Sequence, residues 1–279
     1  MQLTVTKNIE DLQRTLYERA AKGGRIALVP TMGALHAGHI SLVKLAKTHA
    51  QHVVMSIFVN PTQFGPSEDF DKYPRTLEAD IALAEQAGVD IIYAPDAADM
   101  YGEGIATKID VGDIAHELCG KTRAGHFNGV AIVVAKLLLR TMANVAVFGE
   151  KDYQQLCVIR QVVEDLDIPV EIIGAPTHRE ADGLAMSSRN RYLNEDERKH
   201  APKLYEILRL TAQRIASGQE VAAALKEAES LLKYAGFTMD YISLCDAETL
   251  SPQTVFSAPA RLLAAGFLGV TRLIDNVEV

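Results

Sequence analysis

Two histidines three residues apart, His36 and His39, form the richest chemical pattern in the chain. They lie in Pro30-Thr31-Met32-Gly33-Ala34-Leu35-His36-Ala37-Gly38-His39, directly after the apolar run Ile26-Ala27-Leu28-Val29. Such a run reads as a parallel strand covered on both faces. Pro30 and Gly33 predict the end of that strand and a tight turn. From Ile40 to Ala50 the apolar residues Ile40, Val43 and Ala46 recur at helical spacing. The imidazoles therefore fall where a strand meets a helix, and their separation lets them face one way. A helix N-terminus gathers unpaired amides and the positive end of the dipole, which favours phosphate. Gly38 lets a ligand approach the backbone closely. Imidazoles placed there can donate hydrogen bonds to phosphate oxygens, and one can add positive charge as negative charge develops. The alternatives are two surface or capping histidines, or a zinc site; zinc is disfavoured because no cysteine or carboxylate lies nearby at ligand spacing.

Three further stretches carry chemistry. Asn60-Pro61-Thr62-Gln63-Phe64-Gly65-Pro66 follows a buried strand over 52–59 and forms a shaped loop at its carboxyl end, where open α/β sheets bind ligands. Gly149-Glu150-Lys151-Asp152 turns the strand 144–148 directly into a helix starting near Tyr153. Lys151 suits a phosphate there; Asp152 suits a ribose hydroxyl or simply a helix cap. Thr177 to Asn194 is polar and rich in arginine, and its Ser187-Ser188-Arg189 offers two hydroxyls and a fork-shaped cation for triphosphate oxygens. A charged interdomain linker is the alternative for that stretch. Ala115-His116-Glu117-Leu118-Cys119-Gly120-Lys121-Thr122 nearly matches a phosphate-binding P-loop, but Ala115 replaces the first glycine and Arg123-Ala124-Gly125 follows where a helix belongs.

The elements that must position these residues alternate. A helix over 8–22 precedes the first buried strand, Leu77–Ala87 is helical and closed by Gly88, and 89–95 is a third strand. Ser67 to Pro74 reads as an acidic surface loop or flap. Phe127–Met142 is a strongly apolar helix suited to central packing or an oligomer interface, and 170–173 ends the strand series. Helices over 196–217 and 219–235 and strands over 241–245, 261–267 and 271–275 then make a smaller unit. The expected architecture is α/β: a Rossmann-like parallel-sheet domain over 1–176 and a smaller C-terminal α+β lid domain over 177–279.

Composition bounds the rest. The 279 residues suffice for one large or two ordinary domains, and 48% apolar content is that of a globular chain. A net charge of −8 argues against a general nucleic-acid binder. The three cysteines, Cys119, Cys157 and Cys245, are too few and too scattered for a disulfide framework. With neither a signal peptide nor a membrane-length apolar run in sight, a cytoplasmic protein is expected.

Taken together, Pro30 to His39, Phe58-Val59-Asn60-Pro61-Thr62-Gln63-Phe64, Gly125-His126-Phe127, Gly149 to Gln155 and Asp182-Gly183-Leu184-Ala185-Met186-Ser187-Ser188-Arg189-Asn190 resemble, in order, the motifs of the pantoate–β-alanine ligase family. His-x-Gly-His alone marks only the wider nucleotidyltransferase superfamily, and the Met-Ser-Ser-Arg loop resembles the mobile Lys-Met-Ser-Lys-Ser loop of class I aminoacyl-tRNA synthetases. Two positions depart: Ala37 stands where glutamate is frequent, and Thr62 where methionine is. The resemblance implies ATP-dependent condensation of pantoate with β-alanine through pantoyl adenylate, with Mg²⁺, in a homodimer. It implies that ATP is bound by Met32, Gly33, Ala34, Leu35, His36, Ala37, Gly38 and His39, and by Gly149, Glu150, Lys151 and Asp152. His39 would be the acid-type residue beside His36, while Lys151, Ser187, Ser188 and Arg189 would neutralise phosphate charge. Gly149 and Asp152 would hold the ribose side, and backbone near His178 and Met186 the adenine. Gln63 and Gln155 would bind pantoate, and Asn60 and Gln63 β-alanine. The rivals are another nucleotidyltransferase, such as a cytidylyltransferase, and a catalytically idle nucleotide binder.

Overall fold

The computed structural model describes residues 3–21, 23–66 and 68–279. Its chain order is β1 (Thr4–Thr6), α1 (Ile9–Ala20), β2 (Ile26–Thr31), α2 (Ala37–His49), β3 (His52–Ile57), α3 (Leu77–Ala87), β4 (Ile91–Tyr93), α4 (Ala97–Tyr101), α5 (Asp113–His116), α6 (Cys119–Thr122), α7 (His126–Thr141), β5 (Val145–Gly149), α8 (Tyr153–Asp165) and β6 (Glu171–Ala175). Then come α9 (Glu195–His200), α10 (Lys203–Ala216), α11 (Val221–Tyr234), β7 (Phe237–Asp246), β8 (Ala260–Leu268) and β9 (Thr271–Glu278). Among the described residues, β1 to β6 form one parallel sheet in the order β1-β4-β3-β2-β5-β6, and β7 to β9 form an antiparallel meander.

Burial on both faces explains the unbroken apolar runs. Along β2, Leu28 enters one cluster with Leu12, Val134 and Leu138, while Ala27 and Val29 enter the other with Val43 and Met55. A separate core joins Leu204, Leu208 and Leu232 of the late helices to Leu262 of β8. A small cluster, in which Leu118 and Cys157 meet Cys245 and Leu263, ties it to the parallel-sheet part.

The sheet order has one consequence for function. From β2 the chain moves outward through β3 and β4, then returns to the other side of β2 for β5 and β6. The crevice at the carboxyl ends of β2 and β5 is therefore the topological switch point, where such sheets take ligands. Only Ala27↔Val145 and Leu28↔Ala146 pair before these two strands part.

Several boundaries differ from the sequence expectation. The first buried strand runs through Pro30 to Thr31 rather than stopping before it. Ile26 exchanges hydrogen bonds with Asn144, so even-numbered residues of β2 aim their amides towards β5. At Pro30 that neighbour has already diverged, and the missing N–H costs no ladder bond. The strand expected over 52–59 ends at Ile57, with Pro61–Gln63 in a 3₁₀ turn capped by Asn60. The single helix expected over 196–217 is two, because Pro202 cannot donate and α10 restarts at Lys203. The short edge strand β1 was not foreseen. Of the helix expected over 8–22, Lys22 lies outside the described residues, as does Ser67 of the acidic loop.

Candidate active site

The first wall of the crevice is the turn from β2 into α2. Gly33 (φ 80°) and Ala34 (φ 49°) both take left-handed backbone, turning the chain sharply enough to start α2 at Ala37. The carboxylate of Asp80, 2% exposed, locks this turn by accepting from Ala34 N at 3.0 Å, Leu35 N at 2.7 Å and Thr76 Oγ1 at 3.2 Å. A Cβ on Gly33 would lie 3.0 Å from Asp80 Oδ2 and 3.1 Å from Ile57 Cγ2. Asp80 was not foreseen from sequence, since a lone helical aspartate carries no motif.

His36 caps α2 and His39 closes the capping box. Gly38 N donates to His36 Nδ1 at 3.2 Å, and His36 N donates to His39 Nδ1 at 3.3 Å. A ring nitrogen that accepts an amide hydrogen carries no proton, so each neutral ring bears its proton on Nε2. The ring centroids are 4.1 Å apart. Burial, with Lys151, Arg191 and His178 nearby, lowers the His36 pKa to about 4. Burial, with His36 and Lys151, lowers that of His39 to about 3. Both rings are therefore neutral Nε2–H donors near pH 7. In the ligand-free protein the positive charge on this face is carried by Lys151 and Arg189 rather than by the imidazoles.

The second wall is the turn from β5 into α8. Glu150–Asp152 form a 3₁₀ turn, with the Lys151 ammonium 3.4 Å from Asp152 Oδ2. Burial opposes ionisation of Asp152, but Lys151 and Arg189 outweigh it and hold the carboxyl below its usual range. Asp152 makes no side-chain cap bond, so capping does not account for it.

The third wall comes from 176–193. Met186 N donates to His178 O at 3.0 Å across a hairpin closed by Asp182 and Gly183 (φ 94°). Ser188 Oγ donates to Ala34 O at 3.1 Å, docking this loop on the His36 turn. Arg189 makes a bidentate pair with Asp69, both contacts at 2.9 Å. The neighbouring Glu68 makes another with Arg123 at 2.7 Å, and Arg123 donates to His126 Nε2 at 2.8 Å. His126 Nδ1 in turn donates to Gln63 O at 2.7 Å. The acidic 68–74 segment is thus strapped at consecutive residues to both sides of the crevice.

The floor combines amides with an apolar surface. Gln63 Oε1 accepts from Asn60 Nδ2 at 3.1 Å, and Asn60 also donates to Gly129 O at 3.1 Å. A Cβ on Gly129 would fall 2.2 Å from Thr62 O, so α7 needs glycine to approach this turn. Among the described residues the Gln155 side-chain amide has no protein partner, although Gln155 lines the crevice. Val130, Val133, Val134 and Leu137 of α7, with Phe58 and Phe148, complete an apolar wall.

Of the residues singled out by sequence, Met32, His36, Gly38, His39, Asn60, Gln63, Gly149, Lys151, Asp152, Gln155, His178, Met186, Ser187, Ser188 and Arg189 line this one crevice. Gly33, Ala34, Leu35, Ala37 and Glu150 do not. The amides of Ala34 and Leu35 are consumed by Asp80, and the Glu150 carboxylate turns away to Arg261 at 2.9 Å. Tyr73 and the α7 face line it without having been foreseen. The sole sequence signal for α7 was an apolar helical stripe, which equally describes ordinary core.

A parallel α/β sheet whose switch point carries a His-x-Gly-His helix start and a converging cationic loop defines a nucleotide-dependent transfer or ligation enzyme. The family model described as pantoate-beta-alanine ligase matches residues 4–278. Pantothenate synthetase of Sphingopyxis alaskensis is 50% identical, over 99% of this chain and 100% of its own length. That of Rhizorhabdus wittichii is 51% identical over 99% of each. Among solved structures, pantothenate synthetase from Thermus thermophilus superposes with a TM-score of 0.94 at 46% identity, covering 99% of both chains. The pantoate–β-alanine ligase of Francisella tularensis, solved with β,γ-ATP and β-alanine, gives 0.85 at 38% identity over 99% of this chain and 98% of that one. The chain belongs to the pantoate–β-alanine ligase family.

Proposed function

We propose that the crevice converts the carboxylate of pantoate into pantoyl adenylate and then passes the acyl group to β-alanine. The observation carrying this reading is the convergence, on one mouth, of two Nε2–H donors, an ammonium and the Ser187–Arg189 loop beside amides and an apolar wall. The donors and cations suit a triphosphate. Gln63 and Gln155 amides both donate and accept, as a hydroxy acid requires, and the α7 wall suits its two methyl groups.

In the first step a pantoate carboxylate oxygen bonds to the α-phosphorus of ATP and the bond to the bridging oxygen breaks, releasing pyrophosphate. His36 and His39 donate to phosphate oxygens, while Lys151 and Arg189 offset charge as it builds on them. Asp152 and Gly149 hold the ribose, and backbone at His178 and Met186 the adenine. In the second step the neutral amine of β-alanine, placed by Asn60 and Gln63, attacks the acyl carbon. The C–N bond forms, the acyl–phosphate bond breaks, AMP leaves and the amine loses a proton. Positioning and charge stabilisation carry both steps, and no covalent bond to the protein is needed.

Residues 1–176 would form the nucleotide- and pantoate-binding domain and 177–279 the lid domain. Mg²⁺ would arrive on the triphosphate: among the described residues no group of three or more His, Cys, Asp or Glu could cage a metal ion. The exposed Leu139 and Met142 at the end of α7 support a homodimer. Three free, buried cysteines support a reducing compartment, in keeping with the cytoplasm. The test is product analysis with ATP, pantoate and β-alanine: AMP, pyrophosphate and pantothenate in equal amounts support the reading. ADP and phosphate, or a nucleotide-linked end product, would refute it.

A further inference from the structure

Asn276 of β9 and Arg261 of β8 are each 5% exposed, and neither lines the crevice. Yet Asn276 Nδ2 donates to Glu150 O at 2.9 Å and to Lys151 O at 3.1 Å. One side-chain amide therefore satisfies two successive carbonyls of the 3₁₀ turn that presents Lys151. Asn276 Oδ1 accepts from Arg261 Nε at 2.9 Å, which fixes the amide's orientation: reversed, its oxygen would face two carbonyl oxygens. Arg261 is fixed in turn by Glu150 and Glu278, both at 2.9 Å, and its guanidinium lies 4.0 Å over the Tyr153 ring.

The preceding residue serves the opposite arm. Asp275 accepts from Arg179 at 2.6 and 2.9 Å, and Arg179 begins the hairpin that leads to Ser187. Asn276 N also donates to Asp275 Oδ1 at 2.8 Å. Consecutive residues of β9 thus grip the Lys151 turn and the root of the Ser187–Arg189 loop.

We propose that Asn276, oriented by Arg261, is a positioning residue for Lys151, and that β9 sets the spacing between the two phosphate-binding arms. This rests on the assignment of Lys151 to the phosphates. A shift of about 1 Å at such a group can cost on the order of a hundredfold in rate.

The test is single-turnover pantoyl adenylate formation, enzyme in excess over ATP, in four proteins: wild type, N276D, K151A and the double variant. N276D keeps the shape and the Arg261 contact but loses both donors. It should slow the step by about tenfold or more, whereas adding it to K151A should slow it by less than about twofold, because its effect passes through Lys151. An unchanged rate in folded N276D, or equal losses in both backgrounds, would overturn the proposal. Should N276D not fold, R261K, which retains charge but lacks the Nε–H that aims Asn276, takes its place with the same two outcomes. A full rate in K151A itself would instead overturn the role of Lys151.

Discussion

His39 Nδ1 accepts the backbone amide of His36 at 3.3 Å, so the cap that starts α2 also decides which ring nitrogen faces the crevice. The helix needs its first amides satisfied, the rings satisfy two of them, and the Nε2–H groups are left for a ligand. Helix capping and ligand presentation thus use opposite nitrogens of the same two rings.

This sharing fixes the pH behaviour of the free protein. The unfolded chain titrates these rings near 6.5, while the folded values are about 4 for His36 and about 3 for His39. Between those limits the unfolded state binds more protons, so their contribution to stability is full above pH 6.5 and is lost as pH falls towards 3. His126 joins them at about 4, lowered by burial and by Arg123. Carbon-13 labelling of the histidine rings should show His36, His39 and His126 still neutral at pH 5.5. A midpoint near 6.5 for His36 or His39 would remove the neutral-donor assignment.

Replacing His39 separates donation from charge. His39→Ala should lower adenylate formation by on the order of a hundredfold, the usual effect of losing one transition-state donor. His39→Gln, which can place an amide N–H where Nε2–H stood, should retain distinctly more activity. The lost cap should cost about 1 kcal/mol of stability, visible in thermal melts. Equal inactivity in folded Ala and Gln variants would point to proton transfer by His39.

Asp69 takes the Nε–Nη2 edge of Arg189, both contacts at 2.9 Å, and so sets a negative charge against the cation that would meet a phosphate. The pair is partly exposed, with side chains 29% and 22% accessible, so it is worth about 1 kcal/mol. Asp69→Asn should therefore tighten ATP binding by about fivefold in calorimetry. Weaker binding would mean that Asp69 holds Arg189 ready instead of competing for it.

Gln155 lines the crevice without a partner among the described residues, and a ligand is its natural complement. Gln155→Ala should raise the KM for pantoate by about tenfold, as for one lost hydrogen bond, and leave that for ATP nearly unchanged. Equal weakening of both substrates would count against the pantoate role.

Local patterns were enough to show where strands end and helices begin, because ligand loops in this fold lie at those junctions. The α/β architecture, the smaller α+β unit and the placing of the His-x-Gly-His and 149–152 stretches at strand–helix junctions followed from apolar runs and turn residues, whereas Gln155 came from the family resemblance. What stayed hidden depends on partners far along the chain. Pro30 belongs in a strand only because β5 diverges beside it. Ala34 and Leu35 look like ligand amides until Asp80, 46 residues beyond Ala34, is seen holding both. Glu150 sits within a motif yet serves Arg261, and Asp69 looks like loop polarity until Arg189 arrives. Such pairings are tertiary and leave no periodic trace.

The central claim is an acyl adenylate formed before the amine enters. Pantoate-dependent exchange of labelled pyrophosphate into ATP, with Mg²⁺ and without β-alanine, measures it directly. The account predicts exchange that needs pantoate, falls by on the order of a hundredfold in H39A and sharply in K151A, and gives way to AMP and pantothenate once β-alanine is added. Folded protein that shows no exchange until β-alanine is present would contradict it, since the carboxylate would then not be activated in a separate step.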